Sequence, residues 1–360
     1  MRHFALSIVL LALSTAGVSA QTFFRDATVR HGHDFSFHIF SGGNNPKAVS
    51  KINQLLQLSE LYSLSNRPFS GRIFDQSQAN DGSIYGGKTS IEEHVYSNTA
   101  RILSMGFFES SSGATSHYWN RYYNFNPRTG DRISLRDLFT SAGYENFLRE
   151  VAALRSSKFR REVNKKIEAQ FREDYLQSTL KFCVEVDELH DFYIRNRTIV
   201  IDGDGCLSKN QKFDGLDMIV RLKSDLFAKY LNAYGRAVFG LSRADLTQFR
   251  SSELPQLFEG TVDGKYRFVM ALSPDEDGEY WGMYAYLKHR EGIALRGKQK
   301  DGELTLTEYI LSPNAVDGPL GSIRRAEEKG TVTGRLTGNG FDGIWSDGGG
   351  QKELSFIAKF

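Results

Sequence analysis

The chain has 360 residues, of which 40% are hydrophobic, 12% aromatic and 24% charged, with a formal net charge of +2. This composition excludes a mostly disordered, collagen-like or coiled-coil chain, and at roughly 100–200 residues per domain the length suggests two domains. Lys and Arg number 45 against 43 Asp and Glu, so the strong basic excess of a nucleic-acid-binding protein is missing and no nucleic acid partner is expected.

At the N-terminus, Arg2 and His3 precede the apolar run Phe4 to Leu13, and Val18-Ser19-Ala20 supplies small residues at a cleavage site. The pattern predicts a signal peptide over 1–20, cut after Ala20. The run is shorter than the ~20 residues of a spanning helix. A periplasmic or secreted protein without a stable membrane anchor is therefore expected. His31, His33 and His38 follow with Asp34. His31 and His33 share one side of a strand by its two-residue period and are conceivable Zn or Cu ligands. No partner that would orient them is evident, so no metal is assigned, and the plainer reading is a polar, partly frayed segment.

Phe35 to Phe40 reads as a strand. Ala48 to Leu61, with Val49, Ile52, Leu55 and Leu56 on one stripe, reads as an amphipathic helix. Residues 63–90 read as a loop, Ile91 to Phe108 as a long β stretch, and Tyr118 to Phe125 as a further strand. Asn126-Pro127-Arg128-Thr129-Gly130 is a turn. Ser134 is a candidate helix cap. The longest helical pattern spans 144–176, with Phe147, Val151, Leu154, Phe159, Val163, Ile167 and Phe171 on its apolar side. Arg155, Lys158, Arg160, Arg161, Lys165 and Lys166 form a basic face. That face suits an anionic surface or, more plainly, solvent.

Phe192 to Ile201 and Met218 to Leu222 read as strands, and Ser224 to Tyr234 as a helix. Cys183 and Cys206 are the two cysteines. In an exported protein they are candidates for one disulfide between neighbouring strands; two small buried residues that never meet are the other reading. Asp202-Gly203-Asp204-Gly205-Cys206 lacks the position-5 ligand, position-6 Gly and position-12 Glu of a calcium loop and reads as a tight turn.

Residues 241–253 are polar and read as a linker. Beyond them lie six β-type runs, Arg267–Ala271, Tyr280–Lys288, Ile293–Arg296, Leu304–Tyr309, Gly330–Leu336 and Leu354–Phe360. Steps such as Asp263-Gly264 and Asp301-Gly302 separate them, and 17 of the 34 glycines fall in 254–360. These are hairpin signals and predict a small antiparallel barrel or sandwich. The expected fold class is an α+β N-terminal domain, an antiparallel sheet with packed helices over 21–240, followed by an all-β meander barrel over 254–360.

The segment Tyr122-Tyr123-Asn124-Phe125-Asn126-Pro127-Arg128-Thr129-Gly130, followed by Ile133-Ser134-Leu135-Arg136-Asp137-Leu138-Phe139, resembles the "YNFD…TG…L…DLF" motif of the RsiV/PdaC-type extracytoplasmic domain, a domain of unknown function in bacterial envelope proteins. Ile52 and Asn53 match the family's early "IN…L" helix. Asn126 stands where the family usually has Asp. The likeness covers roughly 35–235. It implies an α+β binding module, with no catalytic residue to carry over. Relatives include an anti-sigma factor that senses lysozyme and peptidoglycan deacetylases with a separate catalytic domain. Residues 254–360 resemble small avidin-like and lipocalin-like barrels.

No GxSxG, HExxH, P-loop or GxGxxG occurs, and no cofactor is implied. Candidate binding residues are the aromatics Tyr118, Trp119, Tyr122 and Tyr123 in the first domain and Tyr284, Tyr286 and Trp345 in the second. A packed core is the plainer reading of the barrel set. Glu308 is in phase with Leu304 and Leu306, so it is a candidate to face the barrel interior with a raised pKa. The leading expectation is an exported, non-catalytic envelope protein that binds a protein, of which a lysozyme-like one is an example, or a cell-wall glycan. The alternatives are a peptidoglycan- or sugar-active hydrolase with a carboxylate pair, and a small-ligand-carrying barrel.

Overall fold

The computed structural model describes residues 22–65, 71–74, 88–112, 116–183, 189–203, 207–251, 254–274, 278–310 and 327–360. The segment 1–20, read as a signal peptide, lies outside them.

Arg25–His31 (β1) and Phe35–Ser41 (β2) form an antiparallel hairpin. The histidine-rich segment expected to fray is ordered: His31 closes the edge strand β1, His33 and Asp34 lie in the turn, so His31 and His33 do not share a strand, and His38 is on β2. Of β1 only Val29 is buried, which is why no alternation marks it. The helix Pro46–Leu61 (α1) begins two residues before the predicted Ala48 and ends at the predicted Leu61. Asn45 accepts from the backbone N–H groups of Lys47 and Ala48 at 3.1 and 3.4 Å, and Pro46 needs no donor in the first turn. Val49, Ile52, Leu55 and Leu56 are buried, but so are Leu58, Glu60 and Leu61. The end of α1 is thus covered on more than one side.

The long β stretch is two strands, Lys88–Asn98 (β3) and Leu103–Ser111 (β4), reversed at Thr99, whose Oγ1 accepts from the N–H groups of Arg101 and Ile102. With His117–Phe125 (β5) they complete a sheet of order β1-β2-β3-β4-β5. The sheet is mixed, because β2 and β3 run parallel through the bridge Phe35–Ile91, with α1 in the crossover.

Ser141–Lys166 (α2) is capped by Thr140. The helical pattern expected to continue to 176 breaks at Ile167. A 3-10 turn over Ala169–Phe171 leads into Arg172–Cys183 (α3). Phe171 lies beyond the break and is half exposed. Arg155, expected on the solvated basic face, is buried, and its guanidinium donates to the Asp202 carbonyl at 3.1 Å. Cys183 ends a helix, not a strand. Its side chain and Cys206 lie outside the described residues, and so does the expected bridge.

Phe192–Arg195 (β6) and Thr198–Ile201 (β7) turn through Asn196 and Arg197, both at positive φ. Val220–Lys223 (β8) completes a second, three-stranded sheet. Lys209–Phe213 (α4) lies between β7 and β8. The helix expected over 224–234 is divided into Ser224–Phe227 (α5) and a 3-10 turn, with Ala233–Val238 (α6) beyond.

The stretch read as a linker is anchored. Leu246 is buried, its carbonyl accepts from Asn126 Nδ2 at 2.8 Å, and Phe249 stacks on Tyr234.

Eight strands then close a barrel: Gln256–Val262 (β9), Tyr266–Pro274 (β10), Glu279–Tyr286 (β11), Gly292–Lys300 (β12), Glu303–Ile310 (β13), Glu327–Thr337 (β14), Gly340–Asp347 (β15) and Glu353–Lys359 (β16). It is a meander, with β16 pairing back onto β9 so that no edge remains. Two of the strands, β9 and β15, go beyond the six expected runs. The first begins beside Pro255, and the second carries two glycines that dilute its apolar pattern. Asp263-Gly264 and Asp301-Gly302 turn with both residues at positive φ, as Asp-Gly hairpins require. The interior is filled by Phe268, Leu304, Leu306, Val332, Phe341 and Phe356, all essentially inaccessible. The barrel's outer residues Val269, Ala271, Met283 and Ala285 share one apolar cluster with α1 and the five-stranded sheet. Helix α1 is therefore the layer between sheet and barrel.

Among the described residues no helix is long and apolar enough to cross a membrane.

Candidate functional site

Alternation along β5 divides the four aromatics of the first domain between two faces. Trp119 and Tyr123 point to the α1 side, where Tyr123 donates to Glu60 of α1 and Trp119 to Glu109 of β4. Tyr118 and Tyr122 lie on the opposite face. Tyr118 is 75% exposed. Tyr122 is buried in a stack with Tyr96 and Tyr193 and donates to Asp202 Oδ2 at 2.7 Å. Asn120 donates to the same oxygen at 2.9 Å. Asp202 thus ties β5 to the chain that follows β7.

Under the α1 face lies a buried charge cluster. Lys88 Nζ, wholly inaccessible, donates to the Glu60 carbonyl at 2.9 Å, to Glu60 Oε2 at 2.8 Å and to Glu109 Oε1. Arg121 stands 3.8 Å from Glu60 and 3.6 Å from Glu109. Burial alone would raise the Glu60 pKa, but Lys88 and Arg121 outweigh it and hold the carboxyl at about 2. Burial together with the neighbouring Glu60 carboxylate pushes Glu109 up. Burial works against the Lys88 charge, yet the two glutamates hold its pKa above the ordinary lysine range.

Arg121 also borders a cleft of about 510 Å³ between the sheet and the barrel. Ser59 and Tyr123 line it from the sheet side, and Ser273, Trp281 and Met283 from the barrel. Arg132 and Asp191 complete its charged lining. Arg132 is set at the junction by its backbone. Its N–H donates to Gln256 Oε1 at 3.0 Å, and Gln256 Nε2 donates back to its carbonyl at 2.8 Å. Its guanidinium donates to the Leu254 carbonyl at 3.3 Å, while Nε is buried without a hydrogen-bond partner. Burial lowers its pKa from the usual arginine value.

Neither a family model nor a curated protein matches this chain. Among solved structures, a member of the DUF3298 family from Bacteroides fragilis is similar at 12% identity and a TM-score of 0.38, over 61% of this chain and 94% of that one. At that score the likeness says nothing about what this chain does.

A second concavity, about 670 Å³, lies beside the exposed Tyr118. Asp34, Glu92 and Glu93 line it with Arg30, His38 and Asn120. Ser36 Oγ donates to Glu93 Oε2 at 2.7 Å, and His38 lies 3.8 Å from both Asp26 and Glu93. Burial raises Glu93 to about 7 and lowers His38. His31 packs instead against Phe35 and Phe74. Among the described residues no three His, Cys, Asp or Glu side chains are grouped to hold a metal.

In the barrel, Glu308 faces inward, in phase with Leu304 and Leu306. It is 3% exposed and accepts from Tyr284 Oη at 2.5 Å. Burial raises its pKa. Tyr286 packs against Tyr284, and Trp345 against the same apolar cluster. Glu308 and Tyr284 are buried in the barrel interior, and Tyr286 and Trp345 are partly buried against it.

Sequence reasoning did not single out Glu60, Lys88, Arg121 or Arg132. The one local signal was Glu60, the single charge in the leucine-rich helix end Leu55 to Leu61.

Proposed function

We propose that this protein is an exported, non-catalytic binding protein of the bacterial envelope, as its likeness to the RsiV/PdaC-type domain implies. Of the two partner classes expected, protein and cell-wall glycan, we favour the glycan. The observation that carries this reading is the cleft between sheet and barrel, with an aromatic wall at Trp281, hydroxyls at Ser59 and Ser273, and two arginines. Its volume suits a small ligand, whereas a folded protein partner needs roughly 800 Å² of surface on each side. Glycoside hydrolysis needs two carboxyl groups flanking the bond. Here Glu60 and Glu109 are engaged by Lys88, and Asp191 is the acid left in the cleft lining.

A second reading, a sugar-active hydrolase, draws on the other concavity. Glu93 there is held near pH 7, the range of a general acid, beside Asp34 and Glu92. One experiment separates these readings. The mature protein is incubated with soluble peptidoglycan fragments, and separately with lysozyme, and both binding and new reducing ends are measured. Fragment binding without turnover, weakened by Trp281→Ala, supports the proposal. New reducing ends that disappear in Glu93→Gln would replace it with the hydrolase. Capture of lysozyme alone would move the partner to the protein class.

A further inference from the structure

We infer that the cleft between sheet and barrel is a carboxylate receptor, with Arg132 as its anchoring group and Arg121 as the second cation; the inference rests on the binding function proposed for that cleft. Arg132 carries the decisive observation. Its Nε is buried and makes no hydrogen bond, and among the described residues it is in no ion pair. A buried charged donor left unpaired is costly. The guanidinium is nevertheless held in place, because Gln256 grips its backbone from both sides and Leu254 accepts from one amino group.

Arg121 has spare donors too. Its nearest carboxylate oxygens are 3.6 and 3.8 Å away, beyond hydrogen-bond distance. A planar carboxylate matches the fork of a guanidinium in a way that a neutral amide or hydroxyl cannot. Asp191, on the same lining, works against a second acid in the cleft, but no ion pair joins it to either arginine among the described residues. Trp281, Met283 and Pro255 supply an apolar wall for the body of the ligand. The volume of about 510 Å³ fits a molecule of disaccharide size. On the glycan reading, the ligand class is thus a sugar bearing a carboxylate.

Three probes test this by calorimetry on the full mature chain. They are the disaccharide of N-acetylglucosamine and N-acetylmuramic acid, the same disaccharide with its lactyl carboxylate amidated, and chitobiose. The acid is expected to bind roughly ten- to a hundredfold more tightly than the other two, the worth of a charge-assisted hydrogen-bond pair. Arg132→Gln should weaken the acid far more than the amide and so narrow the gap between them, Arg121 keeping a remainder of it. Arg132→Lys should restore part of the difference. Equal affinity of the wild-type protein for acid and amide would overturn the carboxylate inference and leave the binding function standing. Failure of all three probes to bind would overturn both. The wild-type comparison of acid with amide decides the matter even if Arg132→Gln does not fold.

Discussion

Replacing Lys88 by Met tests the buried charge cluster that sets Arg121 at the edge of the cleft. The side chains of Lys88, Glu60 and Glu109 are inaccessible. Met fills a similar volume and removes the cation. Lys88 contributes hydrogen bonds to a carbonyl and to both carboxylates, and without it those carboxylates keep Arg121 as their one neighbouring cation among the described residues, at 3.6–3.8 Å, beside the neutral donors Tyr123 and Trp119. Breaking a buried ion pair from one side costs about 3–5 kcal/mol. We expect the lower end, about 3 kcal/mol, because Glu109 already has a raised pKa and can take up a proton. Against a total stability of about 5–15 kcal/mol the variant should still fold.

Urea unfolding of the mature protein, followed by tryptophan fluorescence, measures the loss. Trp119 donates to Glu109 and so reports locally. Lys88→Met with Glu109→Gln should recover much of the loss, since the uncompensated charge is then removed. The deficit of Lys88→Met should also shrink toward acid pH as the carboxyls protonate. A loss under about 1 kcal/mol, or no recovery in the double variant, would refute the reasoning.

Gly292→Ala addresses the seam between the two halves. A Cβ there would lie 1.9 Å from the Tyr62 carbonyl oxygen and 2.8 Å from Met283 Sδ, so backbone must move. We expect a loss of about 1–3 kcal/mol or more together with faster hydrogen exchange at Tyr62 to Leu64 and around the cleft. Glu93→Gln addresses pH. Burial raises this carboxyl from 4.5 to about 7, so the folded state binds the proton more tightly than the unfolded chain. Wild-type stability from this group therefore falls as pH rises from about 4.5 to 7, by roughly 3 kcal/mol in all. Gln should flatten that slope in denaturation measured across pH and be the more stable form at pH 8. His38, lowered by burial, acts in the opposite sense, losing stability as pH drops below 6.5, and it is present in both proteins. An unchanged slope would show that Glu93 is not held protonated.

Much of the architecture was legible in the sequence because it is written in short periods. The stripe Val49, Ile52, Leu55 and Leu56 marks α1, the Asp-Gly steps mark the hairpins of the barrel, and the phase of Glu308 with its leucines made it a candidate for the interior. Such patterns follow from local geometry, 3.6 residues per helical turn and two per strand. Where the local signal is thin, the reading missed its target. The edge strand β1 buries one residue, β15 carries two glycines, and the helical pattern over 144–176 continues past the extended residue Ile167 at which α2 ends.

The candidate site could not be read in this way. Glu60, Lys88, Glu109 and Arg121 come from one helix and three strands, and Arg132 meets Gln256 from more than a hundred residues away. The sequence alone determined which residues alternate and where the chain turns. That Tyr122 and Tyr123 serve opposite faces follows from that period. Tertiary structure decided that Tyr123 meets a glutamate under α1 while Tyr122 meets Asp202, which follows β7. It also decided that Arg132 is left with a buried, unpaired donor at the cleft. Long-range packing sets burial, and burial is what turns an ordinary charged side chain into a costly one that a ligand can satisfy.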